Sequence, residues 1–481
     1  MKFSRFVFCY ATLLCGCTCF AQMYTFMDLG NLGNPPGPNY GFSFPMGINN
    51  SGQIVGLPYG EMITTHAFRT APNSPINPTT DDLGTLGGSR SGAWGINRSG
   101  QVVGDSSIIG DTPVHAFRTA ANSAIDPSTD DLGTLGGSDS WAYGINDSGQ
   151  VVGQSTIDGN AAAHAYRSAP NLAINPTTDD LGTLGGSVSV AWSINSSGQV
   201  VGYSYVSGDT YHAFRTAPNR AINPSTDDLG PFGDWSSSAT GINDLGQVIG
   251  STFKNDGTAS FAFRTAPNRP INRSTDDLGT LGGFPPTPLG VNAWGEVVGW
   301  LIDTNFWPIY RAFLFSSGTL YDLNDLIPPG SGWQLQYASA INDAGEIVGY
   351  ATPPGYTDGW RGFLLRPIYN AAVQHPINAD GSSVFSAKRG VIPVKFAVTR
   401  YGTQPSCVLP GTIAVTRTAG GTLGSIDEST YSMTADNGSN FRIEGCRYAY
   451  NLAASSLGVG TYRVDISING IMVGHAVFAL K

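Results

Sequence analysis

Aromatic side chains carry the most suggestive chemistry in this sequence. They gather in three stretches, Tyr203, Tyr205 and Tyr211, then Trp300, Phe306, Trp307 and Tyr310, then Tyr350, Tyr356 and Trp360, with Trp235 between the first two. Flat apolar rings with few charges around them suit stacking on sugar faces or a protein hot spot. Trp235, Trp300, Trp307, Tyr310, Tyr356 and Trp360 are accordingly the candidate ligand-binding residues, and a glycan or an extracellular protein is the expected partner. Acids near the same stretches, Asp209, Asp234, Asp303 and Asp358, keep a second reading open. It is a polysaccharide hydrolase or lyase, which needs a carboxyl pair. A purely structural envelope or adhesion component is the third reading. No HExxH, CxxC or GxSxG signature is present, so no catalytic residue, cofactor or metal is assigned.

An internal repeat must position these residues. Asn49, Asn97, Asn146, Asn195, Asn243, Asn292 and Asn342 each follow Ile or Val and open a turn, at spacings of 48, 49, 49, 48, 49 and 50. A glycine keeps step (Gly56, Gly104, Gly153, Gly202, Gly250, Gly299, Gly349), then an aromatic (Phe68, Phe117, Tyr166, Phe214, Phe263, Phe313, Phe363). Each unit holds four short β-compatible runs, such as Ser91 to Asn97, Gln101 to Ser106, His115 to Thr119 and, in the equivalent place, Asp82 to Leu86. Four antiparallel strands in a unit of this length match the blade of a β-propeller. The first run should be innermost, because small residues such as Gly95 and Ala93 alternate with bulky ones such as Trp94 and Ile96.

The order of the runs also foresees closure. A fourth-type run, Tyr24 to Gly30, precedes the first unit, and the seventh unit lacks one after Phe363. The N-terminal strand should therefore complete the last blade and leave no open sheet edge. Five units with Arg after the aromatic (Arg69, Arg118, Arg167, Arg215, Arg264) carry an extra Asp (Asp81, Asp130, Asp179, Asp227, Asp276). Units with Leu314 and Leu364 instead meet Tyr321 and, across the closure, Met27. These pairs should be cross-strand neighbours, the charged ones as exposed ion pairs.

Repetition weighs against several apparent motifs. His66, His115, His164 and His212 recur once per unit, so they stand around a ring and do not converge on one Zn²⁺. The Asp-Asp doublets recur in the same way, whereas a Ca²⁺ site needs several converging oxygens. Leu-Gly-Thr-Leu-Gly-Gly (83 to 88) lacks the lysine and following helix of a phosphate loop and reads as a turn.

Beyond Arg366-Pro367 the repeat stops. An alternating run from Tyr462 to Ile468, the Asn469-Gly470 turn and a return from Ile471 to Leu480 make a hairpin. With Val391 to Val398 and Gly411 to Arg417 this reads as a small immunoglobulin-like sandwich. The fold expected is all-β: a seven-bladed β-propeller over residues 22–366, closed by its N-terminal strand, then an immunoglobulin-like β-sandwich over 367–481.

The repeats resemble the HAF family of bacterial extracellular repeats. The likeness rests on His-Ala-Phe at 66 to 68, 115 to 117 and 212 to 214, on Leu-Gly-Thr-Leu-Gly-Gly and on Ile-Asn-x-x-Gly-Gln-Val-Val-Gly at 96 to 104, with Phe261, Arg311 and Arg361 departing from the histidine. The last domain is similar to the PxKF-type module of exported bacterial proteins, through Pro393-Val394-Lys395-Phe396, Asn378 to Ser382 and Gly460 to Arg463. Neither resemblance implies an activity.

Composition narrows the setting. With 63 Gly, 30 Pro and 12% charged residues among 481, long solvent-facing helices are excluded, and 41% hydrophobic residues exclude a disordered chain. A formal charge of −10 offers no field for nucleic acid. Residues 1–21, with Lys2, Arg5, an apolar run to Leu14 and Ala21, read as a secretory signal peptide too short to span a membrane. The protein is then secreted or on the cell surface, and a lipobox-like Leu14 to Cys17 offers a lipid anchor through Cys17 as a second reading. Cleavage leaves Cys407 and Cys446, which in an exported chain read as one disulfide.

Overall fold

The computed structural model describes residues 23–32, 42–59, 65–208, 210–230, 235–257, 259–303, 309–356, 359–388, 390–401, 404–406, 409–420, 431, 433–468 and 470–481. The chain is all-β, with many small sheets. Its seven repeat units each form one antiparallel sheet in the order inner, second and third strand, as in Gly87–Ile96, Val102–Ile108 and Val114–Arg118.

The Asn-x-x-Gly turn joins the inner and second strands. Gly52, Gly100 and their counterparts sit at φ near +80°, a backbone that side chains disfavour. The turn asparagine organises it: Asn49 Oδ1 accepts the Ser51 and Gln53 N–H groups, and its Nδ2 donates to Gln53 Oε1. The same Nδ2 also donates to the backbone carbonyl of the next unit's asparagine, Asn97. This step repeats from Asn97 to Asn146, Asn195, Asn243, Asn292 and Asn342, and Asn342 donates back to Asn49, all at 3.0–3.2 Å. The seven bonds form a closed cycle.

Two glycine layers let the strands come this close. A Cβ on Gly95 would lie 3.1 Å from the Tyr143 carbonyl oxygen of the neighbouring inner strand. On Gly104 it would lie 1.8 Å from the Gly92 carbonyl oxygen within the same sheet, and the other six equivalents leave at most 2.0 Å. Behind these glycines the third-strand aromatics, Phe68 through Phe363, are fully buried.

The N-terminal strand, Tyr24–Gly30, pairs antiparallel with Arg361–Pro367 of unit 7, with Met27 opposite Leu364, while Leu314 lies opposite Tyr321. In units 1 to 5 the fourth run is only a single bridge, such as Phe68 to Asp82. The Asp82 carboxylate accepts the Gly84 N–H and turns the chain at φ +73°, which ends the pairing. The expected Arg–Asp ion pairs are corrected. Arg69 and Asp81 are backbone neighbours, but the guanidinium donates to the Ser123 carbonyl of the next unit. The Asp81 carboxylate accepts from Asn77 N and Thr80 Oγ1 instead, because capping a tight turn beside it satisfies both oxygens.

Residues from 369 onward form two further sheets. One runs Tyr369–Gln374, Val391–Arg400, Arg447–Ala453, Arg442–Glu444, and the other Val384–Phe385, Ile471–Leu480, Gly460–Ile468, Gly411–Ala419. Both contribute to one core that includes Phe385, Phe396, Tyr448, Tyr462 and Phe478.

This region docks on units 6 and 7, and the repeat changes there to receive it. In units 1 to 4 the glutamine after the turn donates to an asparagine of the following unit, as Gln53 does to Asn122 at 2.9 Å, and that asparagine covers the turn glycine, Gly100. Unit 7 has no such asparagine. The Arg400 guanidinium lies over Gly345 in its place, and unit 6 carries Glu296 where a glutamine would stand, at 2.9 Å from Arg400. Tyr401 beside it bonds the buried Tyr24 hydroxyl at 2.5 Å, so the docked region also braces the closing strand.

Two stability predictions follow from burial. The Tyr166 hydroxyl is buried with no hydrogen-bond partner among the described residues, where the other units carry Phe. Tyr166→Phe should stabilise by about 1–3 kcal/mol, seen as a raised midpoint in chemical unfolding; a lowered midpoint would mean that water satisfies the group. Glu296 and Arg400 are 7% and 11% exposed. Removing Arg400 alone (Arg400→Met) should cost about 3–5 kcal/mol by orphaning a buried carboxylate, and Glu296→Gln/Arg400→Met together should cost less than that single change. Unfolding of the full chain measures both, and additive losses would contradict the pairing.

Candidate functional site

The residue after the second-strand glycine lies one register step beyond the buried layer, on the side away from the asparagine turns. Here the units differ: Leu57, Asp105, Gln154, Tyr203, Ser251, Trp300 and Tyr350. Opposite Tyr350 in the register is Tyr337, and opposite Leu57 is Phe44. Sheet pairing thus gathers aromatics that are far apart in sequence.

Seven rings form one continuous belt across units 6, 7 and 1. Trp300 lies 5.6 Å from Tyr310 and 5.1 Å from Tyr337, which stacks on Tyr350 at 4.4 Å and 19°. Tyr350 meets Phe44 at 4.7 Å and Trp360 at 5.9 Å, and Trp360 reaches Phe42 at 5.7 Å. All seven are half-buried, so each packs along one side and leaves another open. Burial, then the neighbouring Tyr310, pushes the Tyr337 hydroxyl up to about 12. That hydroxyl therefore stays uncharged at physiological pH. A smaller group, Tyr203, Tyr205, Tyr211 and Phe253, stands at units 4 and 5.

Of the residues singled out from sequence, Trp300, Tyr310 and Trp360 are brought together. Trp235 is not: it packs on Phe261 at 6.0 Å beneath the Arg273 guanidinium, because its strand, Trp235–Ile242, starts in the apolar layer of unit 5. Tyr356 is 51% exposed, without a ring contact to another described residue. Trp307 lies outside the described residues, as do Cys407, Asp209, Asp234, Asp358 and residues 1–22. Asp303 is held by Arg311 at 3.3 Å. Cys446 occupies a turn at φ +62°. Tyr337, Phe44 and Phe42 lie on inner strands, so strand register and not loop position brings them to the belt.

A channel-like cavity of about 230 Å³ opens among the inner strands, lined by the three residues before each turn asparagine in all seven units. On one side its wall is aromatic: Trp94 meets Tyr143 at 6.1 Å and Tyr143 meets Trp192 at 4.4 Å. Trp94 Nε1 donates to Asp105 Oδ1 at 2.5 Å, and Gln154 Nε2 donates to the Tyr143 hydroxyl at 3.2 Å. Burial raises the Asp105 carboxyl above its usual range, partly opposed by the Trp94 bond.

The repeat histidines pair with the aspartates sixteen residues on. His66, His115, His164 and His212 lie 2.9–3.0 Å from Asp82, Asp131, Asp180 and Asp228, and Arg311 and Arg361 similarly meet Asp322 and Asp28. Among the described residues no group of three or more His, Cys, Asp or Glu is arranged to hold a metal. No helix among them is long and apolar enough to cross a membrane, which says nothing of a β-barrel.

No protein-family model and no curated protein matches the chain. Among solved structures it is similar to the extracellular domain of a one-component system from B. thetaiotaomicron, at 10% identity and a TM-score of 0.30, over 96% of this chain and 59% of that one. It is also similar to prolyl oligopeptidase B from Galerina marginata, at 9% identity and a TM-score of 0.40, over 77% of this chain and 56% of that one. The chain thus spans less than two thirds of either. These likenesses are too slight to indicate a fold or an activity.

The His115–Asp131 pair sets a pH dependence. The bond to Asp131 holds His115 above its usual value; burial pushes Asp131 up, but His115 and the Gly133 N–H more than offset it and leave it lowered. The histidine contribution is full below its unfolded value of about 6.5 and fades as pH rises through the folded one; the aspartate contribution is full above about 3.9 and fades as pH falls. Thermal midpoints should therefore be higher at about pH 5.5 than at about pH 8, roughly one unit below and one and a half units above the unfolded histidine value, and His115→Gln should shrink the difference. An equal difference in the variant would place its origin elsewhere.

Proposed function

We propose that this chain is an exported, non-enzymatic recognition protein that binds a glycan along the aromatic belt. Its seven sheets are taken as a seven-bladed β-propeller of HAF-type repeats closed by the N-terminal strand, and residues 367–481 as an immunoglobulin-like, PxKF-type module. Support for the ring comes from the closed cycle of asparagine hydrogen bonds and the pairing of Tyr24–Gly30 with unit 7. The Cys446 sulfur is disulfide-bonded, and Cys407 is proposed as its partner because it is the only other cysteine after residue 21.

The observation that carries the binding reading is the belt of seven contiguous, half-buried rings from Trp300 to Phe42. Sugar rings present apolar C–H faces to such surfaces, and rings already locked by their neighbours lose little freedom on binding. A hydrolase or lyase would need an acid pair; of the four acids first considered, Asp303 is engaged by Arg311.

A glycan array followed by titration with the best soluble polysaccharide tests this. Trp300→Ala, Tyr350→Ala and Trp360→Ala should each weaken binding by tenfold or more, about 1.4 kcal/mol or above, while Trp235→Ala and Tyr356→Ala leave it within about threefold. Unchanged binding in the three belt variants, or no glycan bound at all, would refute the assignment.

A further inference from the structure

Units 6 and 7 lack a loop that the other five possess. In units 1 to 5 the segment after the third strand folds back over the Asn-x-x-Gly turn and carries Asn73, Asn122, Asn171, Asn219 or Asn268, whose backbone N–H donates to the carbonyl of the turn glycine at 2.8–3.1 Å. In units 2 to 5 the side chain of this asparagine completes the contact. Its oxygen accepts the preceding unit's glutamine amide at 2.9–3.0 Å. Its nitrogen donates to the carbonyl of the residue before the turn glycine at 3.3–3.4 Å.

Unit 6 is shorter here. Phe263 and Asp277 of unit 5 stand 14 positions apart, Phe313 and Asp322 of unit 6 only 9, and the chain turns at Ser317 and Gly318 straight into a fourth strand, Thr319–Asp322. Arg400 replaces the missing asparagine of unit 7, but among the described residues no group replaces that of unit 6. Gln247 Oε1 still accepts from Asn243 at 2.9 Å, whereas its Nε2 has no hydrogen-bond partner among the described residues. Arg264 also loses its usual acceptor. Arg69, Arg118, Arg167 and Arg215 each donate to the carbonyl that follows the loop asparagine, and Arg264 turns to the Gly295 carbonyl instead.

Where the loop would lie there is a cleft of about 480 Å³, lined by Trp294, Gly295 and Arg264 on the ring and by Pro405 and Leu409 of the C-terminal region. That volume falls within the range of about 300–1,000 Å³ typical of ligand sites. Trp294 is 50% exposed, so its ring offers an apolar face. The polar demand is specific: an acceptor for Gln247 Nε2 and a donor for the Trp294 carbonyl, which one carboxamide supplies and a carboxylate does not. A carboxylate would also meet Glu296 and Asp343, which line the same cleft.

We infer that this cleft binds a turn of another polypeptide, an asparagine preceded by alanine and proline, seated as the Ala-Pro-Asn loops of units 1, 3, 4 and 5 are seated in their own units. The site lies on the side of the asparagine turns, away from the belt, and does not depend on the glycan reading.

Saturation-transfer NMR on the full chain tests it with an end-blocked peptide copying residues 216–222. Transfer to the alanine and proline protons should appear. The peptide with Asn219→Ala should bind about threefold to tenfold more weakly, the loss of one or two hydrogen bonds. In the chain, Gln247→Glu removes the donor and keeps the acceptor that Asn243 needs, an arrangement the fold already holds at Glu296 with Asn292 and at Glu346 with Asn342. It should weaken the peptide by a similar factor, and Trp294→Ala by at least as much. Gln199→Glu, the same change in unit 4, whose neighbouring loop is present, should leave binding unchanged. No transfer, equal binding of the Asn219→Ala peptide, or binding that Gln247→Glu leaves intact overturns the inference. So does a dimer of the chain in sedimentation that Trp294→Ala dissolves, since a second copy would then be the occupant.

Discussion

The carboxamide of each turn asparagine is the interaction on which the rest of the repeat depends. It is buried, so all its hydrogen-bonding capacity must be met inside the protein. Its oxygen holds its own turn, while its nitrogen is shared between its own unit and the next. One group therefore fixes both the shape of a hairpin and the angle between two sheets. Because the seventh donates to the first, no unit can slip without disturbing every other. The near-constant spacing and the two glycine layers are consequences: an added Cβ would part strands that these bonds hold together.

Much of this was readable from the sequence, and the gaps have specific causes. Repeat number, the first three strand runs of each unit and the closing strand follow from spacing and from the missing last run, and Met27 meets Leu364 as the pattern required, whereas the fourth run shortens to one bridge in units 1 to 5. The Arg–Asp correlation was real in register but wrong in chemistry, because side chains of that length reach past the nearest charge to carbonyls in the next unit. The His–Asp pairs carry a clear sequence signal, a fixed separation of sixteen residues, but it overlaps the Asp-Asp doublets, only one member of which takes the histidine. In the belt, loop position marks Trp300, Tyr310 and Trp360, whereas Tyr337 and Phe44 join only once strands are paired. Trp235 illustrates the opposite error: an aromatic at a strand end is as readily core as surface.

Uniformity and variation are separated by depth in each sheet. From the turn asparagine to the second-strand glycine, the first five units are nearly interchangeable. One residue further, the side chain is free to be Leu57, Asp105, Gln154 or Trp300 without touching the ring. The same logic governs the docked C-terminal region. Glu296 departs from the repeat where Arg400 arrives, so the interface is written into the two units that receive it and into no others.

The closing strand has a bearing on how the chain reaches this state. Thr25 finds its partner Arg366 across 341 residues of sequence. Joining ends that distant costs only about 2 kcal/mol more chain entropy than joining the ends of one unit, so the equilibrium is little affected. The order of events is. The strand Tyr24–Gly30 is synthesised well before its partner, and until unit 7 and Tyr401 are made, the nascent ring presents an unpaired edge at each end. Such edges invite pairing with other chains. Assembly is thus a race between a segment waiting ahead of unit 1 and neighbours that offer the same edge sooner.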